Sequence, residues 1–322
     1  MGEYPRATDP ARKEDSAMKA IRYYEYGGPE VLRYDQDVSE PALARDALLI
    51  EAEATSVNPH DWKARSGALR AHFPIEFPHI PGFDVSGIVR AVGKDVQSFR
   101  IGDRVLAMAK ATYAELVVTA AATVARLPEG LDPADAAALP TVVLTGDQLI
   151  NSELKVTAGQ TVLVTGALGS VGRAAIHAAN TAGARVIAGV RGRQLGEAAA
   201  LQVAGSVAID DADEIATLGK IDAVADMIGR DLAPSLLALV RPGGHYGYAS
   251  RIPDGTAERF PDVSVSRVFG TPNADTLYRF AEDFRDGRFS LPISARMPLH
   301  DAGEAHARLA AGGGGKIVLT MR

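Results

Sequence analysis

Two rhythms of apolar and polar positions divide this chain. Up to about residue 127, apolar residues come in short β-like runs: ALLIEA at 47–52, GIVRAV at 87–92, residues 104–107, and AELVV at 114–118. Turn residues separate them: GGPE at 27–30, NPHD at 58–61, FPHIPGFD at 77–84 and IGD at 101–103. Such spacing predicts an all-β module with irregular loops. After Pro128 the pattern changes to strands alternating with alanine-rich helices. It predicts helices over 133–139 and 144–154, a strand at 161–166 (TVLVTG), a helix over 170–182 and a strand at 185–190. A helix over 195–203, strands at 206–210 and 221–229, a helix over 233–240 and a strand at 245–250 follow. That alternation is the pattern of a parallel sheet covered on both faces, so the fold class is α/β. Helices over 277–286 and 302–311 and a strand at 316–321 complete the reading. Residues 1–17 are polar and without apolar period, and are read as a disordered leader with Met18 as an alternative start. They lack the apolar core of a signal peptide.

Composition narrows the classes of function. A length of 322 residues suits two domains, or one large one. No apolar stretch approaches the roughly 20 residues of a membrane-spanning helix, so no membrane partner is expected. The net charge is −6 with both signs mixed along the chain, which argues against nucleic acid. There is no cysteine, which excludes disulfides, thiolate metal sites and a cysteine nucleophile, and a cytoplasmic location is the expectation.

The sharpest local signal is VTGALGSVGR at 164–173. Gly166, Gly169 and Gly172 stand where a strand becomes a helix, with Ala167, Leu168, Ser170 and Val171 between them. One glycine allows the tight bend, one lets backbone approach a pyrophosphate, and one lets helix and strand pack closely. Free amides at the helix start then face the phosphates. A turn serving chain geometry alone is the plainer alternative; the strand before, the helix after and the further βα units favour a dinucleotide. The next strand ends in AGVRGRQ at 188–194, with no acid before Glu197 to bond a ribose hydroxyl. Arg191 and Arg193 stand there instead, and guanidinium groups suit a 2′-phosphate. NADPH is the expected cofactor.

These motifs, with SVNPHDWKARSG (56–67), IPGFDVSGIV (80–89), VGKDVQSFRIGDRV (92–105), YAELVV (113–118), LPEGLDPADAAALP (127–140), LTGDQL (144–149) and RPGGHYGYAS (241–250), carry a resemblance. The chain resembles the medium-chain dehydrogenase/reductase superfamily in its zinc-free quinone oxidoreductase (ζ-crystallin-like) branch, from residue 18 to residue 321. The resemblance implies a GroES-like β domain over 18–140 and 276–322, and a Rossmann doubly wound parallel sheet over 141–275 that binds NADP(H). The cofactor would lie in the cleft between them, and the protein would be a homodimer. Where zinc-dependent members hold a catalytic metal, this sequence has Asn58, Phe83 and Thr141, with Asp84 following. Phenylalanine is no ligand and one carboxylate does not hold zinc alone, so no metal is expected. Of the seven histidines only His60 and His79 fall in cleft segments.

Without a Lewis acid, hydride transfer to an electron-poor acceptor is easier than alcohol oxidation, because a quinone or enone spreads the arriving charge onto oxygen. By resemblance, the catalytic residues are Asn58 and Thr145 beside the nicotinamide, and Lys63 in the place of a family tyrosine. Lys63 either donates to the acceptor oxygen or lies solvated beside Trp62. Asp226, Gly229, Gly247, Tyr248, Ala249, Ser250, Gly270 and Thr271 would border the cofactor. Asp147 either polarises the pocket or is a helix-surface acid; Trp62, Phe73, Phe77 and Phe83 either cover a planar acceptor or pack a core. Three activities stay open: a quinone reductase, a 2-alkenal or enoyl-thioester reductase, and a non-catalytic NADPH-binding sensor.

Overall fold

The computed structural model describes residues 17–312 and 314–321. The chain begins with β1 (Ala17–Arg22) and β2 (Arg33–Ser39), then β3 (Ala47–Val57), helix α1 (Pro59–Arg65), β4 (Asp84–Val92), β5 (Arg104–Met108), β6 (Leu116–Ala120) and β7 (Val124–Arg126). Helices α2 (Pro133–Ala136) and α3 (Pro140–Gln148) lead into β8 (Thr161–Thr165), α4 (Ser170–Thr181), β9 (Arg185–Val190), α5 (Leu195–Ala198), β10 (Gly205–Ala208) and α6 (Ala212–Thr217). β11 (Ile221–Asp226), α7 (Ala233–Leu237), β12 (Val240–Tyr248), β13 (Ser264–Arg267), α8 (Ala274–Arg285), β14 (Ile293–Pro298), α9 (Ala302–Ala310) and β15 (Lys316–Thr320) follow.

Two large sheets result. One is parallel, in the order β10-β9-β8-β11-β12-β13. Its strand order reverses between β8 and β11, and in such a sheet the crevice at the carboxyl ends of those strands takes ligands. The other has the order β14-β15-β3-β4-β5-β7, with β6 also on β3. Its neighbours are antiparallel except β14 and β15.

Local chemistry explains where the elements depart from the sequence reading. The first helix after Pro128 is one short turn, capped by the Asp132 carboxylate, which accepts from the amides of Ala134 and Asp135. The next helix starts at Pro140 rather than 144, because proline at the first helical position loses nothing by lacking an amide hydrogen. It runs on into a π-helical turn at Leu149–Glu153. The helix expected over 195–203 ends at Ala198. β3 extends to Val57 instead of ending at 52, because its second half pairs with β15, far away in sequence. β6 starts at Leu116, two residues later than expected. The leader expected over 1–17 lies outside the described residues except for Ala17, which opens β1.

The alanine face of α4 has a clear packing reason. Ala174, Ala175, Ala178 and Ala179 are buried, and α3 crosses them at Gly146. A Cβ on Gly146 would lie 2.7 Å from both the Ala174 Cβ and the Ala175 nitrogen. Small residues on both helices bring α3, and Thr145 with it, close to the glycine turn.

Candidate active site

The glycine turn joins β8 to α4 at the switch point. Gly166 adopts a left-handed φ of 59°, and a Cβ there would press on Met227 at 3.2 Å. A Cβ on Gly172 would sit 2.3 Å from the Gly166 carbonyl oxygen, so this glycine lets the helix meet the turn. Gly169 caps α4 in extended conformation, and among the described residues no side chain makes a capping hydrogen bond there.

Beside the turn stands the loop after β11. Asp226 is buried and committed inward: it accepts from Thr165 Oγ1 (2.6 Å), from Tyr246 Oη, and from the amides of Ile228 and Gly229. Expected to bind the cofactor, its carboxylate is taken up in holding the loop after β11. Gly229, at φ 67°, has no room for a Cβ, which would lie 2.4 Å from the Arg251 oxygen. Ser250 Oγ donates to the Met227 oxygen (3.0 Å), and the Ala249 amide donates to the Asp226 oxygen (2.9 Å), stitching residues 248–250 to the same loop. Gly247 serves packing: a Cβ there would strike Leu149 at 2.6 Å, so its absence admits the π-helical turn. Tyr248 packs its ring beside Tyr246, with centroids 6.1 Å apart.

At the end of β9, Arg191 and Arg193 are exposed, and among the described residues neither side chain has an ion pair. Sequence reasoning missed one neighbour. Asp210 accepts from the Gly192 amide (2.7 Å) and fixes the backbone between the two arginines. It follows β10, the strand next to β9 in the sheet, so no signal near the arginines marks it.

Around Asn58 and Thr141, positions where the resemblance implies zinc ligands in zinc-dependent members, lies an internal network. Asp84 Oδ2 accepts from Asn58 Nδ2 (2.6 Å), Ser56 Oγ (2.5 Å) and Lys316 Nζ (3.2 Å), while Oδ1 accepts from the Thr141 amide (2.6 Å). Lys316 Nζ also donates to Asn58 Oδ1 (2.6 Å) and to the Val57 oxygen (3.3 Å). Burial pushes the Asp84 carboxyl up, but the Lys316 ammonium and these hydrogen bonds outweigh it and hold the group below the usual carboxylate range. The Asn58 amide, expected to face the acceptor, therefore has both ends tied within the protein and is 2% exposed. This donor set does not fit a catalytic zinc: Phe83 offers no ligand, Asp84 is already balanced by an ammonium, and no three His, Cys, Asp or Glu residues converge among the described residues. Lys316 was missed as a site residue, although a lone lysine opening the apolar run KIVLTM is a visible anomaly.

Helix α1 carries the next candidate, Lys63, on its surface and the buried Asp61 behind it. Asp61 accepts from the Asn58 amide (2.8 Å) and caps it. Burial pushes the Asp61 carboxyl up to about 7, against the pull of that backbone bond, with Asp84 adding to the rise. Behind it Tyr113 Oη lies 3.3 Å from Asp61 and 3.2 Å from His306, an imidazole that burial drives down to about 3 and so keeps neutral. On the other side of α1, burial lowers the Lys63 ammonium, with nearby Arg230 lowering it further; it stands over the Trp62 ring at 5.7 Å. The aromatic residues divide. His60 packs edge-on between Phe73 (5.5 Å) and Phe83 (4.9 Å), while Phe77 packs against Tyr23 and Tyr26. His79 packs on Tyr23, so the two cleft histidines do not act together.

Thr145 and Gly270 meet closely: a Cβ on Gly270 would lie 2.8 Å from Thr145 Oγ1. The Thr145 hydroxyl donates to the Thr141 oxygen (2.7 Å), leaving its own oxygen to accept. Thr271 is clamped to Gln148 through its amide, hydroxyl and carbonyl. Asp147 turns to Arg279 (2.6 Å) and Asn151 (3.0 Å), in a groove between α3, α4 and α8.

Comparison with known proteins gives one consistent result. Residues 44–129 match the alcohol dehydrogenase GroES-like domain, and residues 199–319 match a family described as zinc-binding dehydrogenase. The chain is 31% identical to a quinone oxidoreductase of Pongo abelii over 94% of its own length and 98% of the relative's. A quinone oxidoreductase from Coxiella burnetii superposes with a TM-score of 0.84 at 28% identity, covering 95% of this chain and all (100%) of that one. The CurK enoyl reductase shares the fold, with a TM-score of 0.84 at 22% identity over 95% of this chain and 99% of its own.

Proposed function

The chain belongs to the quinone oxidoreductase branch of the medium-chain dehydrogenase/reductases, and from that premise we propose that it passes hydride from NADPH to a quinone or other conjugated carbonyl without a metal ion. The observation that carries this reading is the Asn58–Asp84–Lys316 network, which sets an ammonium against the one carboxylate at the zinc position. NADPH supplies the hydride when bound. The chain's own residues do the rest. The turn from Gly166 to Gly172 offers backbone amides to phosphates, and Arg191 with Arg193 offers charge to a 2′-phosphate. The Thr145 oxygen, whose hydrogen goes to the Thr141 oxygen, would be available to hold an amide N–H of the nicotinamide. Lys63 stabilises negative charge growing on the acceptor oxygen, and solvent returns the final proton. The reading carries a cytoplasmic homodimer, for which the outer edge of β13 offers backbone to a second copy.

Mixing the protein with NADPH and a quinone, a 2-alkenal or no acceptor, and following absorbance, tests the proposal. Steady oxidation with the quinone is expected. Preference for the alkenal makes it a carbon–carbon double bond reductase, and oxidation with neither points to a sensor. Changing Arg191 and Arg193 together to alanine is expected to raise the NADPH KM roughly ten- to hundredfold, the value of one or two lost charge-assisted hydrogen bonds, and to leave NADH use unchanged. An equal loss for both coenzymes removes these arginines from phosphate recognition. Activity is expected to survive exhaustive chelation; loss that zinc restores overturns the metal-free mechanism.

A further inference from the structure

The buried face of α1 carries an acid that the transfer so described does not use. Asp61 is 2% exposed and, among the described residues, has no ion pair. Asn58 joins it to Asp84: the Asn58 amide donates to Asp61 Oδ2 (2.8 Å), its Nδ2 donates to Asp84 Oδ2 (2.6 Å), and Lys316 stands at the Asp84 end. Two buried carboxylates thus share a network with one ammonium in reach, and Asp61 is the unmatched one. The other groups packed around it each keep one charge near neutrality. Against the push of burial, Lys316 of β15 and the hydrogen bonds it receives keep Asp84 of β4 ionised. Burial keeps the phenols of Tyr113, before β6, and Tyr23, after β1, protonated, and the His306 imidazole of α9 neutral. Arg65, one turn further along the same face of α1, stays cationic and also has no ion pair among the described residues. His60 and Lys63 lie on the half-exposed side of the helix.

The contacts of Asp61 suit two protonation states. Its Oδ2 accepts from the Asn58 amide and lies 3.3 Å from Tyr113 Oη, which lies 3.2 Å from His306 Nε2; Asp61 Oδ1 and His306 Nδ1 are buried without partners. With the carboxylate ionised, His306 Nε2–H donates to Tyr113 and Tyr113 donates to Asp61. One proton added at His306 Nδ1 sends the Nε2 hydrogen to Tyr113 and the Tyr113 hydrogen to Asp61. The line then runs in reverse, from Asp61 through Tyr113 to His306, with each group neutral. What disappears is the negative charge that strengthens the Asn58 bond, the cap of a helix of only seven residues. We propose that Asp61 is a positioning residue, a proton-operated latch: ionised, it clamps the first turn of α1 through the Asn58 amide, and protonated along the Tyr113–His306 line, it lets that turn shift with Trp62 and Lys63. Burial pushes this carboxyl up to about 7, so the latch works across neutrality. It needs neither cofactor nor acceptor, and it stands whether or not the chain is a reductase.

Trp62, the single tryptophan of the chain, follows Asp61 on α1, so its fluorescence reads the turn. The full chain is titrated without ligand from acid to alkaline pH. The parent is expected to show a reversible change of emission maximum centred near pH 7. D61N keeps an oxygen for the Asn58 amide but no ionisable group, and is expected to hold the acid-form emission throughout. Y113F removes one donor to the carboxylate and is expected to move the midpoint up by about half a pH unit or more. Melting temperature gives a second readout. The folded carboxyl binds its proton more tightly than the unfolded one, so its ionisation takes stability away as pH rises toward and through 7. The melting temperature of D61N relative to the parent is therefore expected to climb over that range and to level off above it. Emission that is flat across neutrality in the parent overturns the latch. So does a transition that survives in D61N, which assigns it to His60 or Lys63 beside the indole. A D61N melting difference that does not vary with pH makes Asp61 an ordinary cap, and an unmoved midpoint in Y113F removes Tyr113 and His306 from the line. If D61N does not fold, the parent titration and the Y113F shift decide alone.

Discussion

Replacing Lys316 by methionine is expected to lower the free energy of unfolding by about 3–5 kcal/mol, the cost of leaving a buried charge without its partner. Lys316 is 3% exposed and Asp84 not at all, so water cannot take over from the lost ammonium. The carboxylate would keep Ser56, the Thr141 amide and Asn58 Nδ2, but Asn58 would lose the donor to its Oδ1, one of the two side-chain ties at the head of α1. Pairing the change with Asp84→Leu is expected to recover most of the loss, because a buried ion pair exchanged for apolar groups is often neutral. Urea titration of the parent, both single variants and the double variant closes the cycle. A cost below about 1 kcal/mol for Lys316→Met, the scale of an exposed pair, would show that the network is solvated and not a closed interior one.

Gly172→Ala gives the second large effect, this time on the cofactor. The added Cβ would lie 2.3 Å from the Gly166 oxygen and 2.9 Å from the Ala167 Cα, both backbone atoms that no rotamer change moves. Relief requires α4 and the turn to separate, at an overpacking cost of about 1–3 kcal/mol. That motion carries the amides at the helix start with it, so on the proposed reading NADPH affinity is expected to fall about tenfold or more. The effect should grade with the space available. Gly169→Ala meets the same oxygen at 3.1 Å and costs less, and Gly196→Ala meets nothing within 4 Å and serves as the silent control. Alanine is the better helix former, so a loss at position 172 runs against propensity and isolates the clash. Calorimetric NADPH titrations of the three variants check the order; an unaffected Gly172→Ala would mean that helix and turn are free to move apart.

Much of this molecule is legible from its sequence, and the part that is not has a common cause. Strands β8 to β12 and the small face of α4 show themselves because each is specified by its own residues, and β9 spans Arg185–Val190 as the apolar run predicts, whereas no apolar run predicts the edge strand β13 (Ser264–Arg267). The glycine turn is legible for the same reason, since bend, cap and close approach all fall between Gly166 and Gly172. The far half of β3 is hidden because its partner is β15, near the other end of the chain; the Lys316–Asn58 contact spans a sequence separation of 258. The roles of Asn58 and Asp226 are hidden likewise. Both types serve equally as ligand contacts and as internal anchors, and only the positions of Lys316, Thr165 and Tyr246 decide between them.

The interleaving of the antiparallel sheet bears on how the chain is made. β3 leaves the ribosome early but waits for β15 through the synthesis of the whole parallel sheet. Until then the Asp84 carboxylate has no ammonium, and the edge of β3 that β15 will cover is open to other strands. The parallel sheet, whose strands lie between residues 161 and 267, can assemble first. The completed antiparallel sheet is thus a late product of translation, and contacts spanning so much sequence are slow to form. A newly made molecule would gain its glycine turn before the lysine that neutralises the buried Asp84.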